Sequence, residues 1–370
     1  MTGCRVGMVI SAPMRAGAER QALKVAHGLI GDGYVVDVVA VEDGDEDVID
    51  EFRTGGARVT VFDAAVADWR DRPWLIPRLA AHLRNARVDV VVPFCRLPNI
   101  AAAFAWRAGG ARGCVWNQRD AGLGLDGRAS QRLAVAAASR IACNSMHAVE
   151  MMAKEFLIER RNIHYVPNIS EPGVPRFGRA VWRARLGVAA DAPLAVLVSN
   201  ITRSKAVDLA LSAWAEVARL RHDAVLVVAG ARGDATGEAE RAVVEHGIRD
   251  SVRFAGRVID VAGLIDAADI GFFAARSEGT PGFLLELGQA AKPWVAIDIA
   301  GVREVLPFGL EDRLAVDAAG LGEAAVRLFA ENASVRAREG ELHRAHIREH
   351  FSAARGLAAW RVLLDGMLGG

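Results

Sequence analysis

Between Ser277 and Glu286 the chain reads Ser-Glu-Gly-Thr-Pro-Gly-Phe-Leu-Leu-Glu. The apolar run before it predicts a strand, Gly279, Thr280, Pro281 and Gly282 predict a turn, and Phe283 leads into a helical pattern. Pro281 suits the first helical turn, where the amide it lacks would be unsatisfied. Glu278 falls in the turn, and Glu286 lies about one and a half helical turns into the helix. Two carboxylates so spaced can address different parts of one ligand laid along the helix N-terminus, where unpaired N–H groups and the helix dipole favour anions. Taken singly, either glutamate reads as a helix cap or a solvent-facing side chain.

Other candidates carry less. Asp43, Asp45 and Asp47 form Asp-x-Asp pairs, but a calcium loop fails because Val48 occupies the sharp-turn glycine position and Thr54 the bidentate glutamate position. A solvated acidic loop is expected there. His343, His346 and His350 can share a helical face, yet Arg344, Arg348 and Glu349 among them predict an exposed helix rather than a metal site. Gly230 and Gly233 have the spacing Gly-x-x-Gly, which lacks the helix-opening third glycine of a dinucleotide fingerprint. No metal and no nicotinamide cofactor are predicted. Of 45 basic residues four are lysine, Lys24, Lys154, Lys205 and Lys292, so each lysine invites a question about its use.

What positions these residues is legible in the hydrophobic pattern. Short Val-, Ile- and Ala-rich runs alternate with helical stretches, the signature of parallel sheets with crossover helices. One series has strands near 5–10, 35–40, 57–62, 88–93, 113–117, 139–143 and 163–166, with helices such as 18–30 and 146–156. A second has strands near 194–198, 224–229, 252–254, 270–273, 294–297 and 313–316. Between them, Pro167, Asn168, Pro172, Gly173 and Pro175 mark a linker. At 370 residues the chain accommodates two such α/β domains, expected at 1–170 and 171–351. Facing one another, two doubly wound domains would form a cleft walled by strand C-terminal ends and helix N-termini.

Balanced charge, 45 basic against 45 acidic residues, gives no general pull toward nucleic acid. Four scattered cysteines fit a reducing compartment. The apolar start at 6–10 is broken by Ser11 and Pro13, and no run of about 18 apolar residues occurs, so a cytoplasmic protein is expected. From Trp69 to Arg87, arginines interleave with Trp69, Trp74, Leu75, Ile76, Leu79 and Leu83. Such a stretch can lie peripherally on an anionic membrane, although a core-packed helix with a solvated arginine face has the same pattern, and Pro77 interrupts it.

The segment from Glu278 continues through Lys292, Pro293 and the strand at 294–297 to Gly301-Val302-Arg303-Glu304. It resembles the donor-binding signature of the retaining glycosyltransferases called family 4, or group 1: a Glu, seven residues, a Glu, then a strand and a Gly-x-x-Glu turn. The resemblance extends to Ala16-Gly17-Ala18-Glu19-Arg20 after the first strand, Pro167-Asn168 at the linker, and Asn200-Ile201-Thr202-Arg203-Ser204-Lys205. It continues at Val228-Ala229-Gly230 and Val252-Arg253-Phe254-Ala255-Gly256.

The resemblance implies a GT-B fold and transfer of a sugar, with retention, from a nucleotide-sugar to a hydroxyl acceptor, without metal or resident cofactor. It implies that Lys205, with Asn200 or Arg203, neutralises the donor diphosphate, and that Glu278 meets the donor sugar. Glu286 would hold the ribose, and the amides of Thr280 to Phe283 the sugar and phosphates, with Gly279 beside them in the donor site. The backbone at Arg257 and Val258 would meet the base, with Gly17 approaching the donor from the N-terminal half. Many family members carry His after the fifth strand where this chain reads Trp116-Asn117-Gln118-Arg119-Asp120, which makes Arg119 a candidate phosphate or sugar contact. The resemblance also implies that a C-terminal helix, about 352–368, crosses back to the first domain. A nucleotide-sugar epimerase, or an inactive sugar-binding subunit on the same architecture, stand as alternatives.

Overall fold

A computed structural model of the chain describes residues 3–63, 74–122 and 129–369. It divides into two compact units, Met1–Ile169 with Ala353–Gly370, and Ser170–Ser352. In the first, strands β1 (Arg5–Ile10), β2 (Val35–Ala40), β3 (Arg58–Val61), β4 (Val90–Pro93), β5 (Gly113–Gln118), β6 (Arg140–Cys143) and β7 (Ile163–Tyr165) form one sheet in the order β3-β2-β1-β4-β5-β6-β7. In the second, β8 (Leu194–Val198), β9 (Val225–Ala229), β10 (Val252–Gly256), β11 (Ile270–Phe273), β12 (Trp294–Ile297) and β13 (Leu314–Ala315) follow the order β10-β9-β8-β11-β12-β13. Every recorded pairing is parallel. Both units therefore repeat the 3-2-1-4-5-6 Rossmann order.

Strand periodicity builds two core layers per unit, because successive side chains point to opposite faces. In the second unit Ala195 and Leu197 join a layer with Val207, Leu211 and Trp214 of the helix Val207–Leu220. Leu194 and Val196 face the other layer, with Leu284, Leu285 and Leu287 of the helix Gly282–Gln289. The helices that follow β8 and β11 thus lie on opposite faces of the sheet. Between the C-terminal ends of these neighbouring strands the topology opens a crevice, the general ligand position of open α/β sheets. The first unit has the same switch between β1 and β4.

The helix Ala353–Leu368 belongs to the first unit. Trp360, Leu363 and Leu364 are buried with Val92, Phe94 and Ile169. A Cβ on Gly28 would meet Leu357, so glycine lets the helix Gly17–Gly31 approach closely. Tyr34 donates to Asp365 Oδ1 at 3.1 Å.

Candidate active site

Past Val198 the chain makes a short 3-10 turn, Arg203–Lys205, and Ala206 then takes a left-handed conformation, φ 46°, before the next helix. Past Phe273 it runs through Arg276 to the Glu278 turn. These two loops, about seventy residues apart in sequence, are laced together. The Arg276 amide donates to Ser204 O at 2.9 Å and its Nε to Arg203 O at 3.1 Å, while its Nη2 pairs with Asp208 at 3.0 Å. Lys205 Nζ and Glu278 Oε1 form an ion pair whose side chains are 31% and 15% exposed. Cation and carboxylate therefore stand at the switch point between β8 and β11, beside a helix N-terminus.

That terminus is open. Pro281 takes φ −66°, ψ 110° and caps the helix, which begins at Gly282. Apart from its chain neighbours and its own helix backbone, no atom of the described residues lies within 4 Å of the position a Gly282 Cβ would fill, whereas Thr280 and Phe283 are buried. Glu286 is half-buried. Gly301 supports the turn from below: its Cβ would lie 2.0 Å from Gly279 O and 2.6 Å from Glu278 O. Its place in the Gly-x-x-Glu segment is thereby explained by close backbone approach. Gly230 serves β8 similarly, since a Cβ there would meet Ser199 O at 1.9 Å.

The neighbouring candidates are engaged locally. Arg203 pairs with Glu238 at 3.2 Å, and its amide donates to Asp234 Oδ1. Asn200 Oδ1 accepts from the Ala231 amide at 3.1 Å. Arg257 is exposed and Val258 half-buried just beyond β10, on a groove of about 570 Å³ that Arg176, Phe177 and Arg185 also line. The other lysines have structural partners or face solvent. Lys292 donates to Asp266 O and Ala268 O, Lys24 donates to Ile169 O, and Lys154 is exposed.

Two candidates sit in the first unit. Gly17 opens its helix, and outside its own helix and chain neighbours no described atom lies within 4 Å of where a Cβ would stand. Arg119 follows β5, with Nη2 donating to Asn168 Oδ1 and its carbonyl accepting from Asn144. Nearby Glu19 is buried, which pushes its carboxyl above the usual range, and Cys95 Sγ lies 3.9 Å from it.

Three expectations change or narrow. His343 is fully buried against the Trp294 ring, centroids 4.7 Å apart, rather than exposed. Its helix packs on Gly282–Gln289, a contact the local charge pattern does not signal. Among the described residues no three His, Cys, Asp or Glu side chains are placed to hold a metal. Within Trp69–Arg87, residues 69–73 lie outside the described residues. A helix runs over Leu75–Asn85, with Pro77 in its first turn, where no intrahelical bond is lost. Leu75, Leu79 and Leu83 are buried, Arg78 stacks on Phe62 at 4.4 Å, and Arg84 donates to Ala108 O. No described helix is long and apolar enough to cross a membrane.

Two Rossmann-like units, with a cation, a carboxylate and an open helix N-terminus at the switch point of the second, define the GT-B class. Solved structures agree in fold. Anabaena HepE in complex with UDP-glucose superposes with TM-score 0.82 at 17% identity, covering 98% of this chain and 99% of that one. WaaG, a glycosyltransferase involved in lipopolysaccharide biosynthesis, gives 0.75 at 17%, covering 99% and 100%. Residues 15–170 match Glycosyltransferase Family 4 and residues 192–331 match Glycosyl transferases group 1. The chain belongs to the group 1, family 4 glycosyltransferases. It is 29% identical over 133 residues to the alpha-D-kanosaminyltransferase of Streptomyces kanamyceticus, 35% of this chain and 34% of that protein. It is 30% identical over 194 residues to the D-inositol 3-phosphate glycosyltransferase of Streptomyces avermitilis, 48% and 40% respectively. The matched stretches thus span between a third and two fifths of these relatives.

Proposed function

We propose that the protein transfers a sugar from a nucleoside diphosphate sugar to a hydroxyl group, with retention and without metal or resident cofactor. The observation that carries this reading is the Lys205–Glu278 pair at the β8–β11 switch point, ahead of the open helix start at Gly282. Departure of a nucleoside diphosphate builds negative charge on the leaving oxygens. Lys205 and the amides at the helix N-terminus are fixed positive groups that stabilise it without reorganising. In the resting protein Glu278 holds Lys205 in place; with donor bound, Glu278 accepts from sugar hydroxyls and Lys205 turns its remaining donors to the diphosphate.

Glu286, farther along the helix, accepts from the ribose hydroxyls, and the backbone at Arg257 and Val258 receives the base. Asn200 and Arg203 flank the phosphates on the Lys205 loop, and the first unit, which carries Arg119, takes the acceptor. No protein nucleophile is required, because a donor phosphate oxygen can take the acceptor proton as the bond breaks. A uridine donor is favoured as the first probe by the UDP-glucose complex of HepE.

The test is a thermal-shift panel of nucleoside diphosphates, since a ligand that binds only the native state raises its melting temperature by mass action. One diphosphate should shift the transition at millimolar concentration, and the matching nucleotide-sugar should then serve as donor with an acceptor present. Conversion of the sugar without acceptor would point instead to an epimerase. No shift with any diphosphate would remove the donor site.

A further inference from the structure

The Arg119 guanidinium is buried without an ion-pair partner among the described residues. Its Nε and Nη1 have neither solvent contact nor a hydrogen-bond partner, although the residue as a whole keeps part of its surface accessible. Only Nη2 is used, on the neutral Asn168 side chain. Among the described residues no carboxylate forms an ion pair with Arg119. Glu19 is occupied with the Cys95 thiol and burial favours its neutral form; Asp120 accepts from the Gln118 amide and the Gly122 N–H. The groups that do face Arg119 are Cys95, Cys143, Tyr165 and the Phe94 ring, 5.8 Å away.

Desolvation lowers the guanidinium only to about 10, so the group stays charged at neutral pH. A buried cation with no anion is normally removed by selection, because taking it out of water is not offset by any attraction. The position is also telling, since Arg119 lies just past β5, with Phe94 past β4 and Asn144 past β6, all on the ligand-binding edge of the sheet.

We propose that Arg119 is the receptor for an oxyanion, a carboxylate or phosphate carried by the substrate that the first unit binds. This rests on the reading that the first unit takes the acceptor, and it makes that acceptor anionic. Once binding displaces the side chains that cover Nε and Nη1, a guanidinium held by Asn168 gives a planar or tetrahedral oxyanion charge-assisted hydrogen bonds that a neutral sugar cannot match.

The experiment follows the melting of the full chain at constant ionic strength against inorganic phosphate, D-glucuronate and D-glucose, in wild type, Arg119→Gln and Lys205→Ala. Phosphate or glucuronate should stabilise the wild type, glucose should not, and the half-effect concentration should rise ten-fold or more in Arg119→Gln but not in Lys205→Ala. A response to phosphate alone assigns a phosphate, and a response to glucuronate assigns a carboxylate. An effect lost in Lys205→Ala and kept in Arg119→Gln would belong to the donor site and overturn the proposal, as would an equal response to glucose or no response at all. Unliganded Arg119→Gln should melt at or above the wild-type temperature, since it relieves a buried charge. A clear fall would make Arg119 a structural residue and sink the idea. Arg119→Lys keeps charge without the planar fork, and should recover part of the anion response. Loss of nucleoside diphosphate binding in wild type would break the functional proposal while leaving these anion results standing.

Discussion

Lys205→Ala and Glu278→Gln remove opposite halves of one ion pair, and the proposed roles make the variants diverge in ligand binding while they agree in stability. With side chains 31% and 15% exposed, the pair falls between solvated pairs, worth about 0–1 kcal/mol, and buried ones, whose breaking costs about 3–5 kcal/mol. Either variant should therefore lose about 1–2 kcal/mol of stability. Neither should unfold at 25 °C.

Binding separates them. Lys205→Ala deletes a charged donor to the diphosphate, a contact worth about 1.5–3 kcal/mol, which weakens nucleoside diphosphate binding roughly 10- to 100-fold. Glu278→Gln leaves that donor in place, frees it from its resting partner and removes a negative charge near the phosphates, so binding should stay equal or tighten. Turnover should fall in both, for Lys205→Ala by about 10²-fold or more, because the charge it stabilises grows as the bond breaks. Isothermal titration with the diphosphate that the melting panel selects, followed by steady-state kinetics, reads all of these. If Glu278→Gln weakens the diphosphate as much as Lys205→Ala does, Glu278 is not on the sugar side. If Lys205→Ala binds and turns over like wild type, Lys205 is a structural lysine and the assignment fails.

Glu286→Gln should mainly raise the donor KM with a smaller loss of turnover, because ribose contacts change little between ground and transition states; a loss confined to kcat would contradict this. Gly301→Ala drives a Cβ toward Gly279 O at 2.0 Å, and should cost about 1–3 kcal/mol and displace the Glu278 turn, so wild-type stability and turnover together would be inconsistent with the geometry. Trp360→Ala empties a fully buried site in the first unit and should destabilise it by about 3–5 kcal/mol in urea unfolding, a smaller change showing that the C-terminal helix contributes little. Burial holds His343 below its ordinary 6.5, so the unfolded chain binds that proton first. Stability is then full above about 6.5 and falls as pH drops, by at most about 1.4 kcal/mol per pH unit for one group. His343→Gln should flatten the acid limb in part, since His346 and His164 shift in the same direction; an identical limb would exclude His343 as a source.

The fold was legible because its information is local. Val-rich runs at 35–40 and 224–229 became β2 and β9, and the helix expected at 146–156 formed there, with Ser145 Oγ accepting from the Ala148 amide. The site was legible where one contiguous segment carried it, as from Ser277 to Glu304. What could not be read depends on loops that meet only after folding. Arg276 looks like an ordinary arginine until its amide and guanidinium bridge to Ser204 and Arg203. His343 looks exposed among charged neighbours until Trp294 covers its ring.

Arg119 shows the same limit from the other side. Sequence identifies it as a departure from a histidine position but gives no measure of its surroundings, and 41 arginines make any one of them unremarkable by composition. Its distinction is the absence of a paired acid among the described residues, and that is a property of the folded neighbourhood. Salt-bridged arginines elsewhere make the contrast. Arg313 is buried but meets Glu339, Glu331 and Asp312, with Nη2 2.8 Å from Glu339 and 2.6 Å from Glu331. The same chain thus neutralises one buried guanidinium with its own carboxylates and leaves another to be neutralised from outside. Removal should accordingly differ: Arg313→Met strands up to three carboxylates and should cost about 3–5 kcal/mol, whereas Arg119→Gln should cost nothing. Measured side by side in one denaturation series, a similar loss in both would mean that Arg119 is compensated within the fold, and that no anion is needed to complete it.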